Sequence, residues 1–315
     1  MKLFVIGNGF DLAHGLKTSY YDFKNYLDEE NWAFLSSLES MYGLSVGGWM
    51  DHASDGMIKS VFENRLWKDF ESKLSDIDET IIYSGEDIEL GLEGGDIGVE
   101  DTLDDYWEDQ YEFIKRLNDY LVYWVKQIDI SNIVKKTNMI SELSNDKFIT
   151  FNYTLVLESI YNVDKYDILH IHGSLDKNDN LPIIGHGDKE KVSEMREVAR
   201  EAKEEYNEKK YSIYNAIANY YERTLKDVES FIYSNKRFFE SLEKVDEIYV
   251  IGHSFGDVDI PYFNKILKTV GDNTKWYVHF HELKDKLNYR EILINKVGVS
   301  EDNITMLGSE DVFNI

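Results

Sequence analysis

Seven brief runs of nearly continuous apolar residues set the fold class of this chain. They are Lys2–Ile6, Lys147–Phe151, Ile168–Ile171, Pro182–Ile184, Glu247–Ile251, Lys275–Phe280 and, more weakly, Asn303–Leu307. A strand with one wet face alternates apolar and polar side chains. A strand buried on both faces does not, and helix-covered parallel sheets are where such strands occur. Long stretches of helical periodicity separate the runs. Most runs end in glycine, histidine or asparagine, at the edge where open α/β sheets hold ligands. The expected fold is α/β and Rossmann-like, with a mostly parallel sheet and two helical insertions.

The pattern predicts a single α/β domain over 1–315, its core drawn from 1–20, 132–187 and 246–315. The first insertion covers 21–131. Within it, Trp107, Tyr111, Ile114, Leu117, Leu121, Trp124 and Ile128 recur at three- and four-residue spacing, so Asp105–Ile128 reads as an amphipathic helix. Just before it, the acidic, glycine-bearing stretch at about 84–104 reads as a solvated loop. The second insertion covers 188–245. Its mixed-charge part, Asp188–Lys210, predicts a solvent-facing helix laced by ion pairs. Its more aromatic part, Tyr211–Val245, predicts a helix that packs on the core or on a second copy in a homo-oligomer.

Composition narrows the function classes. The absence of cysteine rules out disulfides, iron–sulfur clusters and thiolate zinc sites, and suits a reducing cytoplasm. Sixty acidic against 34 basic side chains give a net charge of −26, which opposes sequence-independent nucleic-acid binding. No signal peptide and no membrane span are expected.

Four strand ends carry candidate chemistry. The first is Gly7-Asn8-Gly9-Phe10-Asp11, followed by His14. The second is Thr150-Phe151-Asn152-Tyr153-Thr154. The third is His170-Ile171-His172-Gly173, and the fourth is Gly252-His253-Ser254-Phe255-Gly256-Asp257. In a parallel sheet all four meet on one edge. The amides of Gly7 and Gly9, with the start of the next helix, suit phosphate oxygens. Leu12, however, stands where the dinucleotide fingerprint wants its third glycine. The plainer alternatives are a tight turn at Gly7–Gly9, an Asn152 that caps a helix, and a buried, hydrogen-bonded His172.

Two rival patterns are present. Gly252-His253-Ser254-Phe255-Gly256 fits the nucleophile elbow of a serine hydrolase. The later histidines, His279 and His281, follow too closely for an acid-bearing strand and loop to intervene. His170/His172 and His279/His281 are H-x-H pairs whose members share a strand face. Neither has a carboxylate array beside it, so no metal is expected.

The run Gly7-Asn8-Gly9-Phe10-Asp11-Leu12-Ala13-His14-Gly15-Leu16-Lys17-Thr18-Ser19-Tyr20 closely resembles the start of the bacteriophage abortive infection AbiH family. Thr-Phe-Asn-Tyr-Thr, His-Ile-His-Gly and Ile-Gly-His-Ser-Phe-Gly-Asp follow in that family's order. The same order is similar to the sirtuin-like domains of phage-defence proteins. That resemblance implies NAD as substrate, Asn152 and His172 as the catalytic pair, and an NAD glycohydrolase answering a phage-derived trigger. It also implies a nucleotide site formed by Gly7, Asn8, Gly9, Phe10, Asp11, His14, Thr150, Gly173, Gly252, His253, Ser254 and Asp257. Thr154 stands where many sirtuin-like sequences have aspartate, so the supporting carboxylate is either missing or supplied by Asp11. Without the four-cysteine zinc module, protein deacylation is not expected. The alternative from another class is an inactive nucleotide-binding sensor or scaffold.

Overall fold

The computed structural model describes residues 1–42, 66–77, 116–142 and 145–313. The acidic stretch at about 84–104 and the first part of the Asp105–Ile128 pattern lie outside the described residues; 116–127 is helical. The chain divides into two compact units. One comprises 1–19, 122–183 and 227–315, the other 20–121 and 184–226.

The first unit holds a six-stranded sheet: β1 (Lys2–Ile6), β2 (Lys147–Thr150), β3 (Ile168–His170), β4 (Glu247–Ile251), β5 (Lys275–His279) and β6 (Ile304–Leu307). The spatial order is β3-β2-β1-β4-β5-β6, and every neighbouring pair is parallel. This is a doubly wound, Rossmann-like order, with the direction of winding reversing between β1 and β4. Pro182–Ile184, expected as a strand, is not one. Pro182 has no N–H for a ladder, and the segment's link to the sheet edge is a bond from Ile183 N to His172 O at 3.0 Å.

Apolar residues on both sides of each strand explain the sheet. Leu3, Val5, Ile149, Ile248, Val250, Trp276 and Val278 face one core. Packed on that core is α5 (Ile260–Val270), through Phe263 and Ile266. Phe4, Ile6, Phe148, Ile168 and Ile251 face the other core, with Phe10 from α1 (Asn8–Ala13). An aromatic ladder crosses four strands in register. Phe148 stacks on Phe4 at 5.1 Å, Phe4 on Tyr249 at 5.3 Å, and Tyr249 on Tyr277 at 4.7 Å. Offset stacking of this kind adds to area burial.

The second unit is helical where described. It includes α2 (Tyr20–Met41), α3 (Lys189–Glu204) and α4 (Glu208–Thr224). Asp188 caps α3 by accepting from Lys191 N at 2.9 Å. The α3–α4 pair buries Met195, Ile213, Ala216, Ile217, Tyr220 and Tyr221 together. The Arg196 guanidinium locks the pair with a fork on Glu222 at 2.8 and 2.7 Å. The expected helix over Tyr211–Val245 instead ends at Thr224 and resumes as short helices at Val228–Ser234 and Lys236–Glu240. Among the described residues, no helix is long and apolar enough to cross a membrane.

Candidate active site

The turns that end β1 and β4 lie backbone against backbone. Gly252 has φ +70°, and a Cβ there would stand 2.3 Å from Phe10 N. A Cβ on Gly7 would stand 2.5 Å from His253 Cα. The Gly7 amide donates to Ile251 O at 3.0 Å and the Gly9 amide to Gly252 O at 2.8 Å. This corrects the expectation that these two amides hold phosphate: both are already donating to β4 and its turn. The glycines are required because two turns pass at contact distance.

Several other expected ligand contacts are internal. Phe10 is a core residue, its ring 4.5 Å from that of His14. His14 Nδ1 lies 2.7 Å from Phe10 O and Nε2 lies 2.7 Å from Tyr161 OH, so both ring nitrogens are engaged. Burial pushes this imidazole below its ordinary range, although the Phe10 carbonyl pulls the other way. Gly173, at φ +80°, lets the chain pass the backbone carbonyls of Leu181 and Asn180, which a Cβ would meet at 2.4 and 2.6 Å. Thr150 Oγ1 accepts from Asn152 N at 3.1 Å. Asp257 is exposed and pairs with Lys296 at 2.6 Å. Asn8 is exposed, with Nδ2 donating to Thr18 O, and Ser254 is exposed.

Two buried polar groups occupy the edge. The first surrounds Asp11 and Asn152. Thr154 Oγ1 donates to Asp11 Oδ2 at 2.6 Å, so the threonine supports the α1 carboxylate. Burial pushes the Asp11 carboxyl up to about 6, against the Thr154 hydroxyl, the Asn152 amide and the charge of His170. Next to it, His170 Nδ1 faces Asn152 O at 3.1 Å and Nε2 faces Glu158 Oε1 at 2.8 Å. Both partners are acceptors, so the pair favours a proton on each ring nitrogen, the imidazolium form. Burial opposes that charge, yet Glu158 holds the His170 group above its ordinary range. Asp11 Oδ1 and Asn152 Oδ1 are buried and have no partner among the described residues. Asn152 therefore does not act as a helix cap.

The second group joins β3, β4 and the start of α5. Asp259 Oδ1 lies 3.2 Å from His172 Nε2, and Asp259 Oδ2 lies 3.2 Å from His253 Nε2. Burial opposes the Asp259 charge, yet the two imidazoles hold its carboxyl well below the usual range. The Phe151 ring packs between the histidines, 5.4 Å from His172 and 4.3 Å from His253. His253 Nδ1 accepts from Phe255 N at 2.9 Å. His172 Nδ1 and Asp259 Oδ1 are both buried without a hydrogen-bond partner among the described residues. Sequence reasoning missed Asp259; its one signal is an acid two residues after Asp257, just ahead of Pro261.

The rival patterns fare differently. A nucleophile elbow places its serine on a strained turn. Here positive φ falls on Gly252 and on Phe255 (58°), and not on Ser254. His279 Nε2 lies 3.0 Å from Ser309 Oγ, and burial pushes this imidazole down to about 4. The His170 and His172 rings do not share a partner: one faces Glu158, the other Asp259.

A parallel, doubly wound sheet with buried acid, amide and imidazole groups at its carboxyl edge defines a Rossmann-like α/β protein with a polar strand-end site. The family described as bacteriophage abortive infection AbiH matches residues 3–280. The chain belongs to this family, which places it among proteins of abortive-infection defence against phage. No curated protein matches it.

Proposed function

We propose that this defence protein hydrolyses the nicotinamide–ribose bond of NAD, with Asn152 and His172 as the catalytic pair of a sirtuin-like site. The observation that carries the reading is the set of buried atoms without partners among the described residues at one sheet edge: Asn152 Oδ1, His172 Nδ1, Asp11 Oδ1 and Asp259 Oδ1. Buried polar atoms in folded proteins are nearly always paired, so an unpaired cluster beside a strand-order reversal fits a ligand's own groups.

The chemistry follows from the residue types. Water attacks the anomeric ribose carbon as the bond to the nicotinamide nitrogen breaks. The bonding pair goes to that nitrogen, and the pyridinium leaves as a neutral ring. The oxocarbenium-like state parallels glycoside hydrolysis without needing an acid at the leaving group. The water's proton passes to the unengaged Nδ1 of His172, which has no partner among the described residues. Asn152 orients the water and the ribose. Asp11, held by Thr154, is the supporting carboxylate. The pyrophosphate is held by groups other than the Gly7 and Gly9 amides, which are engaged with β4 and its turn. An NAD-consuming enzyme harms its own cell unless gated, so a phage-derived trigger and a homo-oligomeric resting form belong to the same proposal.

The test is nicotinamide release by the purified full chain, alone and with phage lysate. Turnover that falls at least about a hundredfold in both Asn152→Ala and His172→Ala supports the enzyme. Binding of NAD or ADP-ribose without turnover under every condition overturns it and favours a nucleotide-binding sensor.

A further inference from the structure

We propose that Asp259 is the positioning residue that selects the reactive nitrogen of His172, with His253 as its second anchor. This step rests on the reading of His172 as the base. Asp259 stands at the N-cap of α5, where an aspartate ordinarily accepts from its own helix. Its side chain makes no capping bond. The carboxylate turns instead to imidazoles delivered by the ends of β3 and β4, one on each oxygen.

Asp259 Oδ1 is buried without a hydrogen-bond partner among the described residues, so His172 Nε2 approaches it at 3.2 Å off hydrogen-bond geometry. A bare lone pair that close to a carboxylate oxygen is still repelled, so the charge of Asp259 favours the proton on each Nε2. For His253 the other nitrogen settles the matter independently. Its Nδ1 accepts from the Phe255 amide, in a turn where Phe255 sits at φ +58°. His253 is therefore fixed as the Nε2–H tautomer and has no free lone pair. His172 shares the carboxylate, but its Nδ1 is unengaged among the described residues. Of the two histidines, only His172 keeps a nitrogen able to take a proton, and Asp259 is what leaves that nitrogen bare. The His172 ring stops short of a hydrogen bond to Asp259 Oδ1, and catalytic contacts commonly tighten only in the substrate complex.

Asp259→Asn makes a sharp prediction. An asparagine amide offers one acceptor and one donor. His253 is held as a donor by Phe255, so it takes the amide oxygen. The amide NH2 is left facing His172 Nε2, which must become an acceptor, and the proton moves to Nδ1. The base nitrogen is blocked with the fold intact.

Long-range proton–nitrogen spectra of the ring-labelled full chain, recorded over a pH series, read this directly. His172→Gln and His253→Gln spectra supply the assignments. Expected are Nε2–H tautomers for both histidines in the wild type, and a switch to Nδ1–H at His172 alone in Asp259→Asn. Asp259→Glu keeps two acceptor oxygens and is expected to retain Nε2–H. Nicotinamide release by Asp259→Asn is expected to lose about a hundredfold to ten-thousandfold in kcat, with KM changed only a few-fold. An Nδ1–H His172 in the wild type, or in Asp259→Glu, overturns the proposal. So does an unchanged His172 tautomer in folded Asp259→Asn. The expected tautomers in a chain that never releases nicotinamide overturn the NAD reading and support Asp259's hold on His172.

Discussion

Replacing Asp11 by asparagine is expected to stabilise the protein at neutral pH. The Asp11 carboxyl is 1% exposed. Burial raises it from 3.8 to about 6 in the folded state. Between those values the folded chain binds a proton that the unfolded chain has released. Stability therefore declines as pH rises through this window, and the full penalty is present above about pH 6. Two units correspond to roughly 3 kcal/mol. Asparagine keeps an acceptor for the Thr154 hydroxyl and removes the charge, so Asp11→Asn recovers up to about 3 kcal/mol at pH 7. Its advantage shrinks towards zero near pH 4, where the aspartate is already neutral. Urea unfolding from about pH 4 to about pH 8, with amide exchange in β1 and β4 as the local reporter, measures this. An advantage that is absent at pH 7, or that does not vary with pH, refutes the reasoning. The same variant is expected to lose nicotinamide release, because the carboxylate beside Asn152 is gone.

Two further outcomes follow from packing. Gly252→Ala combines the left-handed penalty with a Cβ 2.3 Å from Phe10 N, whereas Gly298→Ala, at φ +93° and ψ 22°, meets its nearest neighbour only at 3.9 Å. Gly298→Ala should lose about 1–2 kcal/mol and Gly252→Ala about 2–5 kcal/mol by urea titration; equal losses refute the close turn packing. In the second unit, Lys226 pairs with Glu71, their side chains 4% and 13% exposed. Glu71→Leu alone should cost about 3–5 kcal/mol, and adding Lys226→Met should recover most of it; equal stability of single and double variants refutes a buried ion pair.

The sheet was legible because burial on both faces removes the polar alternation of a strand, and that shows in a single sequence. The Pro182–Ile184 run is apolar enough to mislead, and the missing N–H of Pro182 is what keeps it out of the ladder. The strand-end residues Asn152 and His172 were legible as a consequence of the same logic, since chain direction alone brings them to one edge. The role of the Gly7–Gly9 turn was not. A phosphate-binding turn and two turns in backbone contact make the same demand, the absence of Cβ, and the partner Gly252 comes from the far part of the chain. Asp259 was hidden for a related reason. An acid shortly before a proline reads as a helix cap, and only the fold brings His172 and His253 within reach of it.

The distribution of locally unfavourable choices separates scaffold from site. Both faces of the sheet are filled with apolar side chains that pack in register, and the second unit closes its own core in the same way. At the carboxyl edge the preferences reverse. Asp11 is buried where a neutral group would be more stable, and Asp259 forgoes the cap of its own helix. Phe255 takes a left-handed backbone that positions its amide on His253. Asn152 and His172 keep buried atoms without partners among the described residues. Each feature has a cheaper alternative that would leave the fold intact. Sequences are locally consistent nearly everywhere, and departures gather where residues are kept for chemistry. Here they gather within one pair of adjoining clusters, built from the ends of β1, β2, β3 and β4, which is the pattern expected of a reactive site and not of a strained corner of the core.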